Sequence, residues 1–153
     1  MFSKACIYGI QASIYLAQQH KQQSDRAYIP VAEIAQVLGI PFQFLKKIMQ
    51  SLSEKGLTVS QRSAKGGMAL ARSAESISIF EVIQAIDGAA ILVSDCILSF
   101  PGCGNEKPCP LHHQWAVERK RLRTLFETTT LEFLADNVRQ GLTRLGISTS
   151  EDK

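Results

Sequence analysis

The chain is 153 residues long, with 17 Lys and Arg against 14 Asp and Glu, a formal net charge of +3 and 45% apolar residues. That balance excludes a mainly disordered chain, and the length suits one compact domain with a helical extension. No run nears the roughly 18 apolar residues of a bilayer span, so no membrane partner is expected.

Gln11 interrupts the apolar N-terminal stretch, which argues against an export signal. Without such a signal, the four cysteines are expected in a reducing cytoplasm, where clustered thiols point to metal binding or redox chemistry. The charge is uneven. Residues 1–75 hold nine Lys/Arg and four Asp/Glu, and residues 76–153 hold eight and ten. The basic half is where a polyanion is expected to bind, although a small lysine excess alone is ordinary solvated surface.

In chain order, Phe2 to Gln19 places Ile7, Ile10, Ile14 and Ala17 at helical spacing and reads as an amphipathic helix. His20 to Ala27 is polar and reads as a loop. Val31, Ile34, Ala35 and Leu38 mark a short helix between Pro30 and Gly39. Pro41 then opens a third helix, with Leu45, Ile48, Met49 and Leu52 as its inward stripe. Two short helices across a Gly-containing turn make a helix-turn-helix candidate. After Gly56 the period changes to two at Leu57 and Val59, and again at Met68 and Leu70, as in paired strands. The tip between them, Arg62 to Gly67, is basic and glycine-bearing. The expected fold class is therefore mainly α with a small β-wing, a winged helix-turn-helix.

Ser78-Ile79-Phe80-Glu81 has capping-box spacing, flanked by Ile77 and Val82 as a hydrophobic staple, and its helix should stop at Gly88. A cysteine-bearing loop follows, from about Ser94 to Cys109. A long helix from about Leu111 to Thr128 carries Leu111, Trp115, Leu122, Leu125 and Phe126 on one side. Thr129-Thr130-Leu131-Glu132 repeats the capping-box pattern before a last helix through Val138, and Ser148 to Lys153 reads as a frayed tail.

Two chemical signals stand out. The inward stripe of the third helix leaves Gln43, Lys46, Lys47 and Gln50 outward, where Gln can pair with adenine and Lys can donate to guanine or phosphate. Arg62 and Lys65 on the wing can grip a backbone or enter a groove, and Gly66 and Gly67 permit close approach. An outer lysine face alone is common. The order helix, turn, helix, ribbon, basic tip is more specific and favours double-stranded DNA.

The second signal is Cys96-x6-Cys103-x5-Cys109-x2-His112, four soft or borderline ligands in a Gly- and Pro-punctuated loop. Such donors suit an iron–sulfur cluster or zinc, although the spacing matches no ordinary zinc finger. His112 is a weaker candidate than the cysteines, since His113 adjoins it and either can be a solvated first-turn residue. Cys6, within an amphipathic helix, reads as a small buried hydrophobe. Trp115 reads as core or subunit interface, and Arg119, Lys120, Arg121 and Arg123 as a solvated helix face.

Together these features make the chain resemble the Rrf-type winged-helix transcription regulators, the group that includes IscR and NsrR. The resemblance covers roughly residues 1–140. It rests on Phe2-Ser3-Lys4-Ala5-Cys6 and Tyr8, Ile34-Ala35, Gly39-Ile40-Pro41 and Leu45-Lys46-Lys47-Ile48. It continues through Lys55-Gly56-Leu57, Lys65-Gly66-Gly67, the run Glu81 to Gly88, the three-cysteine loop and Thr130-Leu131.

The resemblance implies a homodimer built on the long dimerisation helix and bound to a dyad-symmetric operator. It also implies an iron–sulfur cluster on Cys96, Cys103 and Cys109, with 2Fe-2S favoured over 4Fe-4S. His112 matches the fourth ligand of IscR-like members. Ile7 stands where NsrR-like members have an acidic ligand, and Ile7 cannot ligate, which leaves Cys6 as a remote alternative. Lys65, Met68 and the six-residue spacer after Cys96 depart from the common pattern and bear on cluster type and effector.

The resulting expectation is a non-enzymatic DNA-binding regulator, a repressor, that senses redox, nitric oxide or iron–sulfur status. Residues 1–75 would bind DNA, 76–140 would carry the cluster loop and dimerisation helices, and 141–153 would form a tail. The alternatives are a zinc-stabilised domain, a thiol-based regulator without metal and, lower still, an iron–sulfur electron carrier.

Overall fold

The computed structural model describes residues 1–22, 28–64 and 66–146. Most of the expected loop after His20, Lys65 on the wing tip and the tail Ser148 to Lys153 therefore lie outside the described residues. The first helix, α1 (Lys4–Gln22), runs three residues beyond its predicted end. Its buried face steps through Cys6, Gly9, Ser13 and Leu16. Ile7, expected in that stripe, is instead exposed. The inward face is built on small residues because three later helices, Phe42–Glu54, Ile79–Ile86 and Leu131–Arg139, press on it.

The second helix, α2 (Val31–Leu38), ends at Gly39, whose φ of 66° lets the Ile40 amide reach back to the Ala35 carbonyl at 2.9 Å. Pro41 then caps α3 (Phe42–Glu54). Leu45, Ile48, Met49 and Leu52 are all buried there, as their spacing predicts. Each such side chain contributes about 1.5–3 kcal/mol by leaving water. With that stripe locked inward, the opposite face of α3 must point to solvent.

The wing is an antiparallel pair, β1 (Thr58–Gln61) and β2 (Gly67–Leu70), with Thr58 opposite Leu70 and Gln61 opposite Gly67. Ile29 adds an unforeseen third rung, exchanging two 2.8 Å hydrogen bonds with Met68. The buried Thr58 hydroxyl meets that of Ser53 at 2.8 Å and fastens the ribbon to the end of α3.

A 3-10 turn (Ala74–Ser76) leads to α4 (Ile79–Ile86). The predicted capping box forms: the Glu81 amide donates to Ser78 Oγ at 3.3 Å, and the Ser78 amide donates to Glu81 Oε2 at 2.9 Å. Ile77 and Val82 are fully buried beside it. Arg72 pairs with Glu81 from the far end of the wing. A one-turn helix not foreseen in the sequence, α5 (Ala90–Val93), precedes the cysteine loop.

The long helix α6 (His112–Thr128) has no buried residue. Its expected apolar side is split. Leu122 and Phe126 lean on the core, whereas Leu111 and Leu125, with Val117, are exposed. α7 (Leu131–Arg139) closes the chain. Its cap is Thr130, which accepts from the Phe133 amide at 3.2 Å, one residue later than the capping-box pattern suggests. Thr129 is committed to ending α6, its hydroxyl donating to the Leu125 carbonyl at 2.7 Å, and Glu132 pairs with Arg139 instead of capping. Among the described residues, no helix is long and apolar enough to cross a membrane.

Candidate metal centre and nucleic-acid interface

The cysteine loop is held at both ends by α6. At its exit, the His112 amide donates to the Cys109 carbonyl at 3.0 Å, so Cys109 and His112 sit at the start of that helix. At its entry, the Ser94 and Asp95 amides both donate to the Ala90 carbonyl at 2.8 Å. The Asp95 carbonyl accepts from Trp115 Nε1 at 2.9 Å and from Arg119 at 3.1 Å. Between these anchors the backbone turns tightly. Ser99 has a positive φ of 57°, its amide donating to the Cys96 carbonyl at 2.9 Å, and the Cys103 amide bonds the Phe100 carbonyl at 3.2 Å.

This folding gathers the three sulfurs so that all lie within 4.8 Å of one another. Cys96 Sγ is 3.5 Å from Cys109 Sγ, and Cys103 Sγ is 3.3 Å from His112 Nδ1. The Cys109 amide points at Cys103 Sγ at 3.4 Å. Backbone amides of Phe100, then Leu98, with the neighbouring thiols, lower the Cys96 thiol to about 7. Burial pushes Cys109 upward, and the adjoining Cys96 adds to that. The positive end of the α6 dipole adjoins the site and favours thiolate. Three sulfurs and an imidazole nitrogen fit an iron–sulfur cluster or zinc by donor chemistry.

His112 Nε2 lies 3.3 Å from Asn105 Oδ1, so the ring's far nitrogen is tied down within the loop. Cys6 stands apart. It is fully buried in α1, its thiol pushed up to about 12 by burial and by Asp87, which agrees with its reading as a small hydrophobe.

At the candidate nucleic-acid interface, Gln43, Lys46, Lys47 and Gln50 all face solvent from α3. Gln50 donates to Glu54 one turn on at 3.2 Å. Arg62 is exposed on the wing. The two wing glycines have reasons internal to the fold. A Cβ on Gly66 would strike the Gln61 carbonyl and the Ser63 backbone, and one on Gly67 would strike the backbone of Ile29 and Pro30.

The sequence reading missed Asn105, for which a lone Asn in a loop gives no signal. It also missed a second role for Trp115 and Arg119. Trp115 is neither fully buried nor free, and Arg119 is not merely solvated, since both donate to the carbonyl preceding Cys96.

A helix-turn-helix with an exposed basic face, a β-wing and a long uncovered helix defines a winged-helix DNA-binding transcription regulator. The chain belongs to the Rrf2 family, described as iron-dependent transcriptional regulators, whose model matches residues 2–137.

A protein of Aquifex aeolicus described as an HTH-type transcriptional regulator is 33% identical over 136 residues, covering 88% of this chain and 90% of that one. IscR of Klebsiella pneumoniae is 31% identical over 114 residues, covering 74% and 69%. Among solved structures, CymR of Staphylococcus aureus is 27% identical with a TM-score of 0.68, over 88% of this chain and 97% of that one. IscR of T. potens shares the fold at a TM-score of 0.70 and 23% identity, over 94% and 93%. The first two of these relatives are described as HTH-type transcriptional regulators.

Proposed function

We propose that this chain is a cytoplasmic, homodimeric repressor whose DNA binding answers to an iron–sulfur cluster on Cys96, Cys103, Cys109 and His112. The observation that carries the reading is the convergence of three sulfurs within 4.8 Å beside the His112 ring. The donors fall into two close pairs, Cys96 with Cys109 and Cys103 with His112. We take the group to be a 2Fe-2S centre, for which three thiolates and one imidazole are a suitable donor set. When bound, such a group supplies redox and nitric oxide sensitivity.

The protein's own residues do the rest. Cys96, Cys103 and Cys109 bind as thiolates, and Asn105 fixes the His112 ring so that Nδ1 faces the sulfurs. Ligand engagement would order the loop against α6. That helix packs on α4, which packs on α3, giving a contiguous route from the loop to the DNA-reading face. The bare apolar positions Val117 and Leu125 on α6 support its use as the dimer contact. Residues 1–75 would then bind DNA, and residues 76–140 would sense and dimerise. On a dyad-symmetric operator, Gln43, Lys46 and Lys47 of each protomer would enter a major groove, while Arg62 and the Lys65–Gly67 tip would meet the backbone.

The test is anaerobic purification followed by an absorption spectrum, iron and sulfide counts and gel-shift titration. About two irons and two sulfides per chain are expected, with operator affinity that changes on their removal. Colourless, iron-free protein refutes the cluster, and equal affinity in both states refutes the switch. A colourless protein holding zinc on the same four donors would be a stabilised regulator instead.

One observation favours a second, thiol-based reading. Cys96 and Cys109 lie 3.5 Å apart, and Cys96 is partly thiolate near neutral pH. Hydrogen peroxide would oxidise the two thiols to a disulfide with release of two waters. The related CymR of Staphylococcus aureus has also been solved in an oxidised form. Iron-free protein whose DNA affinity responds reversibly to peroxide and dithiol reductant would support it.

A further inference from the structure

Cys96 is the ligand most distant in sequence from α6, yet it lies against Cys109 at that helix's start. The residue before it is gripped from two sides. Its amide, with that of Ser94, closes onto the Ala90 carbonyl of α5 at 2.8 Å. Its carbonyl takes the indole N–H of Trp115 and the guanidinium of Arg119, residues one helical turn apart on α6.

Consecutive Cα atoms are about 3.8 Å apart, so a fixed Asp95 peptide leaves Cys96 little freedom to leave the cluster of sulfurs. Packing does not account for the indole, since Trp115 is not among the side chains packed on the hydrophobic core.

We infer that Trp115 and Arg119 are positioning residues that hold Cys96 in the ligand set by clamping the Asp95 carbonyl, tying the entry of the metal loop to α6. The inference rests on the reading of Cys96, Cys103, Cys109 and His112 as a metal site. The clamp serves any metal held there, and for that reason it can be tested with zinc alone.

The experiment uses the full-length, metal-free chain under reducing, oxygen-free conditions. Zinc affinity is measured by competition with a chromophoric chelator for the wild type, Trp115→Phe, Arg119→Ala, the double variant and Arg119→Lys. One hydrogen bond is worth about 1 kcal/mol, or roughly fivefold in affinity. Each single variant should bind zinc about fivefold more weakly and the double variant about 25-fold. Arg119→Lys, which keeps a donor, should recover part of the loss.

The helical signal and melting temperature of the metal-free chain should stay near wild type. An unchanged zinc affinity in the double variant overturns the inference. So does a loss that tracks disappearance of helical signal in the metal-free state, which would make the two residues purely structural. A wild-type chain that takes up neither zinc nor iron removes the metal reading itself, an outcome separable from the others because it needs no variant.

Discussion

Replacing Gly67 by alanine separates two roles for the wing glycines. A Cβ at this position would collide with the carbonyl carbon and oxygen of Ile29 and lie 2.6 Å from the Pro30 nitrogen. Those are backbone atoms of the segment that pairs with Met68, so no flexible side chain can swing aside. Relief requires moving Ile29 away from β2, which loosens the two 2.8 Å hydrogen bonds it exchanges with Met68.

Two such bonds contribute about 1 kcal/mol each, and overpacking a closed site costs about 1–3 kcal/mol. With part of the strain relieved as the bonds break, the net destabilisation is about 2–4 kcal/mol. For a chain of this size that lowers the melting temperature by roughly 5–15 °C. The assay is thermal unfolding followed by circular dichroism. A variant that melts within a degree of wild type refutes the steric argument. If that same variant also loses operator affinity, Gly67 serves the approach to DNA and not the wing's own packing.

Three further outcomes are expected. Lys46→Ala combined with Lys47→Ala should weaken DNA binding in fluorescence anisotropy and flatten the slope of log affinity against log salt by about 1 for each phosphate no longer neutralised; an unchanged slope would take these lysines off the interface. Val117→Asp with Leu125→Asp, both at exposed sites on α6, should halve the mass seen by light scattering, and a persisting dimer would move the subunit contact elsewhere. Ser78→Ala removes one half of the α4 capping box and should cost about 1 kcal/mol in denaturant unfolding, with no loss showing that Arg72 and Glu81 already secure that helix start.

The helix-turn-helix was legible in the sequence because its apolar residues recur at three and four positions and its ends are marked by Pro30, Gly39 and Pro41. Ser78 and Glu81 were legible for the same reason, since a capping box is a purely local bond pattern. Where several helices compete for one face, local pattern fails. The α1 stripe was expected to include Ile7, yet the tight contacts fall on Cys6, Gly9 and Ser13.

At Thr129 and Thr130 two helix ends share neighbouring hydroxyls, and only the three-dimensional path assigns Thr129 to the end of α6 and Thr130 to the start of α7. The candidate ligands Cys96, Cys103, Cys109 and His112 could be listed from residue type and loop composition. Their support could not, because Trp115 and Arg119 act on a backbone carbonyl 20 and 24 residues earlier, and a carbonyl leaves no trace in sequence.

Arg139, the last residue of α7, reaches across the fold to the Ala17 carbonyl at 2.9 Å and the Gln18 carbonyl at 3.3 Å, while also bonding Glu132 and Asp136. It thereby sutures α7 to the helix that immediately precedes the helix-turn-helix. A cut that removes the guanidinium would deprive Glu132 of that counter-charge in a largely dry setting and release two carbonyls of α1, more than 100 positions away along the chain.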